Sequence, residues 1–257
     1  MRAALITGGG SGIGLAAAEL LLRDGCTVTL MGRSEERVKA AAEKLGASAG
    51  GGAEGRARWS AGSVDDEAAV QRAVEVANAD GNLDVAVLAA GTGTGGPLLM
   101  STLESWQMVL NTNLLGAFLC LKHAGQAMAA NGGGSIVALS SIAGVRTHRF
   151  MTEYCVSKAG LEMLCMNAAD ELGPMGIRVN TVRPGLVPTD LSSGLTASEP
   201  IVNDYLKQMP VGRLGTTDDI AHAIRYLAGE ESGWVTGVNL SVDGGHHLRR
   251  GPNIDAT

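Results

Sequence analysis

The chain has 257 residues, 45% hydrophobic and 18% charged, enough to bury a full core in one globular domain. Lysine plus arginine total 20 against 26 aspartates and glutamates, for a formal charge of −6. That mildly acidic balance lacks the basic footprint that nucleic acid or an anionic membrane surface would need. No apolar run reaches the roughly 18 residues of a membrane span, and no secretory signal precedes the first strand-like run. A soluble, cytoplasmic protein is expected.

Cys26, Cys120, Cys155 and Cys165 lie in apolar surroundings with no CxxC pair, and read as buried thiols rather than disulfides or zinc ligands. The 37 glycines are about twice the ordinary share. Without a G-X-Y period they belong to turns where the backbone comes close to something.

Strand and helix patterns alternate along the whole chain. Ala3-Ala4-Leu5-Ile6-Thr7 predicts a buried strand, followed by an Ala- and Leu-rich helix over 12–23. A second strand is predicted at 26–31 and a second helix at 34–45, with Ser34 as N-cap and Gly46 as the stop. Residues 46–55 (GASAGGGAEG) read as a flexible surface loop. A weak strand at 56–60, a helix at 65–79 and an apolar strand at 84–89 follow. The 103–130 stretch reads as helical with a break near Asn111–Asn113, then a strand at 135–140, a long helix at 153–172 and a strand at 177–182. Beyond a polar, Pro- and Gly-bearing segment at 185–200 come helices near 200–208 and 217–228 and a last strand at 237–242. This rhythm predicts an α/β fold: a single-domain Rossmann fold, a doubly wound parallel sheet with helices on both faces.

Between the first strand and first helix lies Thr7-Gly8-Gly9-Gly10-Ser11-Gly12-Ile13-Gly14. Backbone N–H groups at a helix N-terminus suit a pyrophosphate, and glycine admits its close approach. The pattern is T-G-x-x-x-G-x-G, because Leu15 interrupts the commoner G-x-G-x-x-G. Its place after a buried strand points to dinucleotide binding, with Gly8, Gly10, Ser11, Gly12, Ile13 and Gly14 as contacts. At the end of the second strand Gly32 stands where an acid would bind the ribose of NAD, and Arg33 follows. An arginine there accommodates a 2′-phosphate, so NADP(H) is favoured, with NAD(H) the alternative.

Tyr154 and Lys158 lie four residues apart at the start of the long helix and share one helix face. A charge at about 4 Å and an effective dielectric near 20 is worth roughly 4 kcal/mol, enough to draw a phenol from about 10 toward 7. There it would serve as a general acid and base.

These motifs together resemble the short-chain dehydrogenases/reductases of typical size, over residues 5–245. The resemblance rests on the glycine turn, on Ser141 thirteen residues before Tyr154, on Lys158, on Asn113 heading Asn-Leu-Leu-Gly-Ala-Phe, and on Pro184-Gly185. It implies an NADP(H)-dependent oxidoreductase interconverting a secondary alcohol and a ketone. Tyr154 would move the proton, Lys158 would lower its pKa and hold the nicotinamide ribose, Ser141 would bond the substrate oxygen, and Asn113 would anchor a relay water. Pro184, Gly185, Val187 and Thr189 would close over the nicotinamide, beneath a substrate lid at about 187–212 that includes Leu191, Leu195 and Met209. Ala90 and Gly91 would approach the cofactor, and Ser63 and Val64 would meet the adenine. A homo-oligomer, commonly a tetramer, paired through the helices around 103–130 and 153–172 is also implied.

The chain departs from the family pattern at Leu88-Ala89-Ala90-Gly91, which lacks two bracing amides, and at Ser63-Val64, where an acid or amide is usual. Arg146, His148 and Arg149 are candidates to meet an anionic group on the substrate. Trp59, Trp106 and Trp234 read as packing residues, and the tail at 248–257 as exposed or at a subunit interface. His246 and His247 have no carboxylate or cysteine at ligand spacing, so no metal is expected. The alternatives are a nicotinamide-binding sensor without turnover, an NAD-preferring dehydrogenase, and an epimerase or dehydratase using the same site. The partner is a small ketone or alcohol, and nucleic acid and membrane are excluded.

Overall fold

The structure is a computed structural model that describes residues 2–48 and 55–249. Most of the expected 46–55 loop and most of the 248–257 tail therefore lie outside the described residues. Among those described, seven strands form one parallel sheet: β1 (Ala3–Thr7), β2 (Thr27–Gly32), β3 (Ala57–Ala61), β4 (Leu83–Leu88), β5 (Gly134–Leu139), β6 (Ile177–Pro184) and β7 (Asn239–Val242), in the order β3-β2-β1-β4-β5-β6-β7. The helices are α1 (Gly12–Arg23), α2 (Glu35–Ser48), α3 (Glu67–Ala77), α4 (Leu103–Leu110), α5 (Gly116–Asn131), α6 (Thr152–Leu172), α7 (Ser193–Thr196), α8 (Glu199–Gln208) and α9 (Thr217–Ala228).

All five residues of β1 are buried, because both faces of the sheet are covered. Ala4 and Ile6 pack with Ala17 and Leu21 of α1, Val38 of α2 and Ile220 of α9. Leu5, pointing the other way, joins Val70 of α3, Leu121 of α5 and Leu161 of α6. The expected doubly wound architecture is therefore present, and no helix among the described residues is long and apolar enough to cross a membrane.

Local chemistry sets the helix ends. Ser34 accepts from the Arg37 N–H at 3.2 Å, as the N-cap reading predicts. Asp66 caps α3 through the Ala68 N–H at 3.0 Å, so that helix begins later than residue 65. Thr216 and Asp219 form a reciprocal capping box on α9. Gly46 does not stop α2, which runs on to Ser48, whose hydroxyl bonds the Lys44 carbonyl at 2.7 Å. The expected break near Asn111–Asn113 is a single π turn, Asn111–Leu115, that joins α4 to α5 without interrupting helical backbone. Inside the 185–200 segment the chain makes the short helix α7.

The strand order reverses between β1 and β4. The connections leaving these neighbours diverge to opposite faces, opening a crevice at their carboxyl ends.

Cys26, Cys120 and Cys165 are buried, whereas Cys155 is only half-buried, which corrects the reading of four core thiols. Burial pushes the Cys120 and Cys165 thiols up to about 12 and raises Cys26. Iodoacetamide at about pH 8 is expected to label Cys155 in the native protein and the other three only after denaturation. Rapid native labelling of Cys120 or Cys165, read by mass spectrometry, would contradict this packing.

Candidate active site

The glycine turn closes directly on β4. Gly8 has φ +65°, and a Cβ there would lie 2.8 Å from the Ala89 carbonyl oxygen. A Cβ on Gly14 would lie 2.5 Å from the Gly8 carbonyl oxygen, so α1 can start this close to the strand only without a side chain. Thr7 Oγ1 accepts from the Ala90 N–H at 3.1 Å. This threonine braces the β4 end where the two expected amides are missing. The Ser11 side chain makes no cap bond, so it leaves the first-turn N–H groups of α1 to another acceptor.

A cavity of about 770 Å³ extends over this turn. Gly8, Gly10, Ser11, Gly12, Ile13 and Gly14 form its floor. Arg33, Ser63 and Val64 line one end, and Ala90, Gly91 and Thr189 lie toward the other. Val64 is buried against Gly116, where a Cβ would sit 2.5 Å from its Cγ2. Sequence reasoning missed Arg37, which lines the same cavity from the first turn of α2, just after Arg33, and pairs with Asp190 at 3.2 Å. The available signal was its place in the first turn of the helix that follows the second strand.

A second cavity, of about 310 Å³, holds Ser141, Tyr154, Lys158, Pro184, Gly185 and Val187. It shares Ile13, Gly91, Leu139 and Thr189 with the first, so the two are continuous. Met151, Leu191, Leu195 and Tyr205 supply a largely apolar wall. Of the three residues expected to meet an anion, only His148 lines this space. Arg146 instead bonds the Arg249 carbonyl at 3.1 Å, and the Arg149 guanidinium lies 4.9 Å from the centre of the Phe150 ring. Met209 is buried behind Gly185 and Gly244, away from the cavity its lid neighbours line.

Ser141 Oγ accepts from the Ala143 N–H at 3.1 Å, and its hydroxyl also bonds the Tyr154 hydroxyl. Lys158 is buried, donates to the Leu139 carbonyl at 2.7 Å and lies 5.6 Å from the centre of the Tyr154 ring. Burial lowers Lys158 to about 8. Burial also raises the Tyr154 phenol, with the Ser141 bond working in the opposite direction. This corrects the expectation of a lysine-lowered phenol: desolvation sets the direction, and the bond that opposes it comes from Ser141 rather than from Lys158, which lies toward the ring.

Asn113 is buried, but its amide lines neither cavity. It bonds both backbone groups of Thr92 at 2.8 Å and donates to Ser157 Oγ at 2.9 Å. Its side chain thus ties the loop after β4 to α6.

Two further expectations change. Trp234 is fully exposed rather than packed, whereas Trp59 packs partly buried against the core. His247 does have a carboxylate partner, Asp243, at 2.9 Å, four residues earlier in the bend after β7. Among the described residues no group of three or more His, Cys, Asp or Glu is placed to hold a metal ion.

A doubly wound sheet with a glycine turn and a tyrosine–lysine pair at its crevice defines a class of α/β enzymes, and the comparisons with known proteins agree. A family model described as enoyl-(acyl carrier protein) reductase matches residues 8–247. The chain is 35% identical to the 3-oxoacyl-(acyl-carrier-protein) reductase FabG of Chlamydia muridarum, over 95% of this chain and 96% of that one. It is 37% identical to the cis-4-hydroxycyclohexanecarboxylate dehydrogenase of Sinomonas cyclohexanicum, again over 95% and 96%. A solved short-chain type dehydrogenase/reductase from Mycobacterium ulcerans superimposes with a TM-score of 0.93 at 38% identity, covering 99% of this chain and 93% of that one. The chain belongs to the short-chain dehydrogenase/reductase family. It is an oxidoreductase that acts on CH–OH groups.

The close approach at Gly14 gives a direct test. Gly14→Ala is expected to weaken binding of a reduced nicotinamide dinucleotide by roughly tenfold or more in a fluorescence titration, with the far-ultraviolet circular dichroism retained. Unchanged affinity would contradict the packing of the turn.

Proposed function

We propose that the protein is an NADP(H)-dependent oxidoreductase that interconverts a secondary alcohol and a ketone, with Tyr154 carrying the proton. The observation behind this reading is the convergence of Ser141, Tyr154 and Lys158 on the wall of a 310 Å³ space continuous with the glycine-turn cavity. The residues present fit a dinucleotide: a side-chain-free turn, an uncapped helix start and two arginines at the far end. When bound, the nicotinamide supplies or accepts the hydride.

In reduction, the Tyr154 hydroxyl gives its proton to the carbonyl oxygen. The raised phenol supports this direction, because it keeps its proton at neutral pH. Ser141 holds the same oxygen through its own hydroxyl while its lone pair is tied to Ala143. Lys158 uses one hydrogen on Leu139 and has two left, one for a ribose hydroxyl and one for a relay water, to which Asn113 can offer only the second lone pair of its Oδ1 because Thr92 and Ser157 take its other bonds. Pro184, Gly185, Val187 and Thr189 close over the nicotinamide, and Ala90, Gly91, Ser63 and Val64 flank the rest of the dinucleotide. Arg33 and Arg37 together favour a 2′-phosphate, with Gly32 in place of a ribose-binding acid, and the phosphate would compete with Asp190 for Arg37. Residues 187–212 act as the substrate lid, a role supported by Leu191, Leu195 and Tyr205 in the cavity wall.

The apolar wall suits a ketone borne on a compact, apolar group. The relatives named above reduce or oxidise such centres on acyl and cyclohexane frameworks, to judge by their names. We further assign a homotetramer built through α4, α5 and α6, whose Leu103, Met108, Phe118 and Met163 are exposed. Four unpaired thiols suit a reducing, cytoplasmic setting.

Tyr154→Phe is expected to lower kcat for ketone reduction about a thousandfold while the NADPH Kd stays within about threefold. Undiminished turnover would refute the assignment. Replacing both Arg33 and Arg37 with alanine is expected to raise the KM for NADPH about tenfold and leave that for NADH unchanged; an equal effect on the two cofactors would refute the 2′-phosphate reading. Because Lys158 loses its proton at about 8, reduction is expected to decline as the pH passes that value, and a flat profile to pH 10 or so would contradict its role.

A further inference from the structure

One turn after Lys158 on α6 lies Glu162, a carboxylate only 4% exposed. Arg183, next to the end of β6, donates to it twice, from Nε to Oε1 and from Nη2 to Oε2, both at 2.6 Å. Ser140, at the end of β5, donates its hydroxyl to Oε1 at 2.7 Å, and its N–H bonds the Val182 carbonyl at 2.8 Å. The turn after Ser141 closes on the same group: a Cβ at Gly144 would lie 2.8 Å from Glu162 Oε1. Arg183 also reaches the Asn239 carbonyl of β7 at 3.4 Å.

A buried ion pair is a costly way to join three elements, since apolar side chains of similar volume hold such a junction at least as well. An apolar junction would not supply two of its features. A directed hydrogen bond fixes the residue immediately before Ser141, and a compensated negative charge sits one helical turn from Lys158. We infer that Glu162 and Arg183 are positioning residues for the reaction: they set the strand end that presents Ser141 and hold the charge balance around Lys158. The inference rests on the assignment of Ser141, Tyr154 and Lys158 given above.

The groups facing Lys158 are Tyr154, Glu162 and Cys165 on α6, the Leu139 carbonyl of β5, and Arg183 acting from β6 through Glu162. Glu162 favours the charged amine against its burial, whereas Cys165, its thiol pushed up to about 12, is neutral where Lys158 titrates. Removing the carboxylate therefore makes Lys158 easier to deprotonate, and removing only its arginine partner makes it harder.

The test follows the lysine ¹³Cε resonances of the full-length protein against pH, with the Lys158 signal assigned by its loss in Lys158→Met. Glu162→Gln is expected to move the Lys158 midpoint down and Arg183→Met to move it up, each by roughly 0.5–1 pH unit. The alkaline limb of ketone reduction should move the same way. Arg183→Lys, which keeps the charge and loses the bidentate geometry, should leave the midpoint in place and lower kcat about tenfold at unchanged NADPH Kd. If Arg183→Met does not fold, the other two variants still decide the matter. Midpoints that stay together, or move in one direction, would overturn the charge role, and an unchanged kcat in Arg183→Lys would overturn the positioning of Ser141. A wild-type protein that reduced no ketone would instead refute the assigned reaction, while the resonance midpoints would still report on the pair.

Discussion

Removing an ammonium group from water costs several kcal/mol unless polar partners replace the lost hydration. Lys158 is removed from water at the floor of the crevice, with the Leu139 carbonyl 2.7 Å away as its firmest contact. The consequence is a lysine brought down to about 8, still charged at neutral pH by a narrow margin. The phenol beside it is half-buried on the cavity wall and is raised by desolvation, so the pair combines a retained proton with an adjacent cation. That combination suits donation to a carbonyl oxygen, because the negative charge left on the phenol would form beside a positive one.

The fold brings this pair to the cofactor-sized cavity through geometry alone. Parallel strands end together, and the reversal at β1 and β4 leaves a gap that helices on neither face cover. Glycine at Gly8 and Gly14 lets the first turn lie against the end of β4, and Thr7 stitches the two strand ends with one hydrogen bond. Asn113, placed by the π turn, ties the loop after β4 to α6 through Thr92 and Ser157. Cavity, loop and helix are thus held to one another by buried polar bonds rather than by the lid.

Much of this was legible in the sequence because the governing patterns are short-range. Fully buried strands read as apolar runs, and Tyr154 with Lys158 reads as one helix face. The glycine turn announces itself between such a strand and such a helix. What was not legible depends on depth or on distant partners. The direction of the Tyr154 shift turns on how far the phenol is buried, which spacing cannot supply. Gly46 looked like a stop, but the helix runs two residues past it to Ser48, whose hydroxyl bonds back to the Lys44 carbonyl, a partner that a glycine signal does not reveal. Arg146 and Arg149 were candidates by proximity in sequence, yet both side chains are engaged elsewhere. The Asp243–His247 pair, by contrast, stood at an ordinary i, i+4 spacing and could have been found. The Glu162–Arg183 pair joins residues 21 apart on different elements and needed the fold to bring it into view.

The account stands on a tyrosine hydroxyl and a lysine amine lying together beside a bound nicotinamide ring. A crystal structure of the protein with NADP⁺ tests this most directly. The account predicts the pyrophosphate over Gly8–Gly14, the 2′-phosphate between Arg33 and Arg37, and the nicotinamide ring against Tyr154 and Lys158. A dinucleotide seated outside the glycine turn, or a ring out of reach of Tyr154, would contradict it.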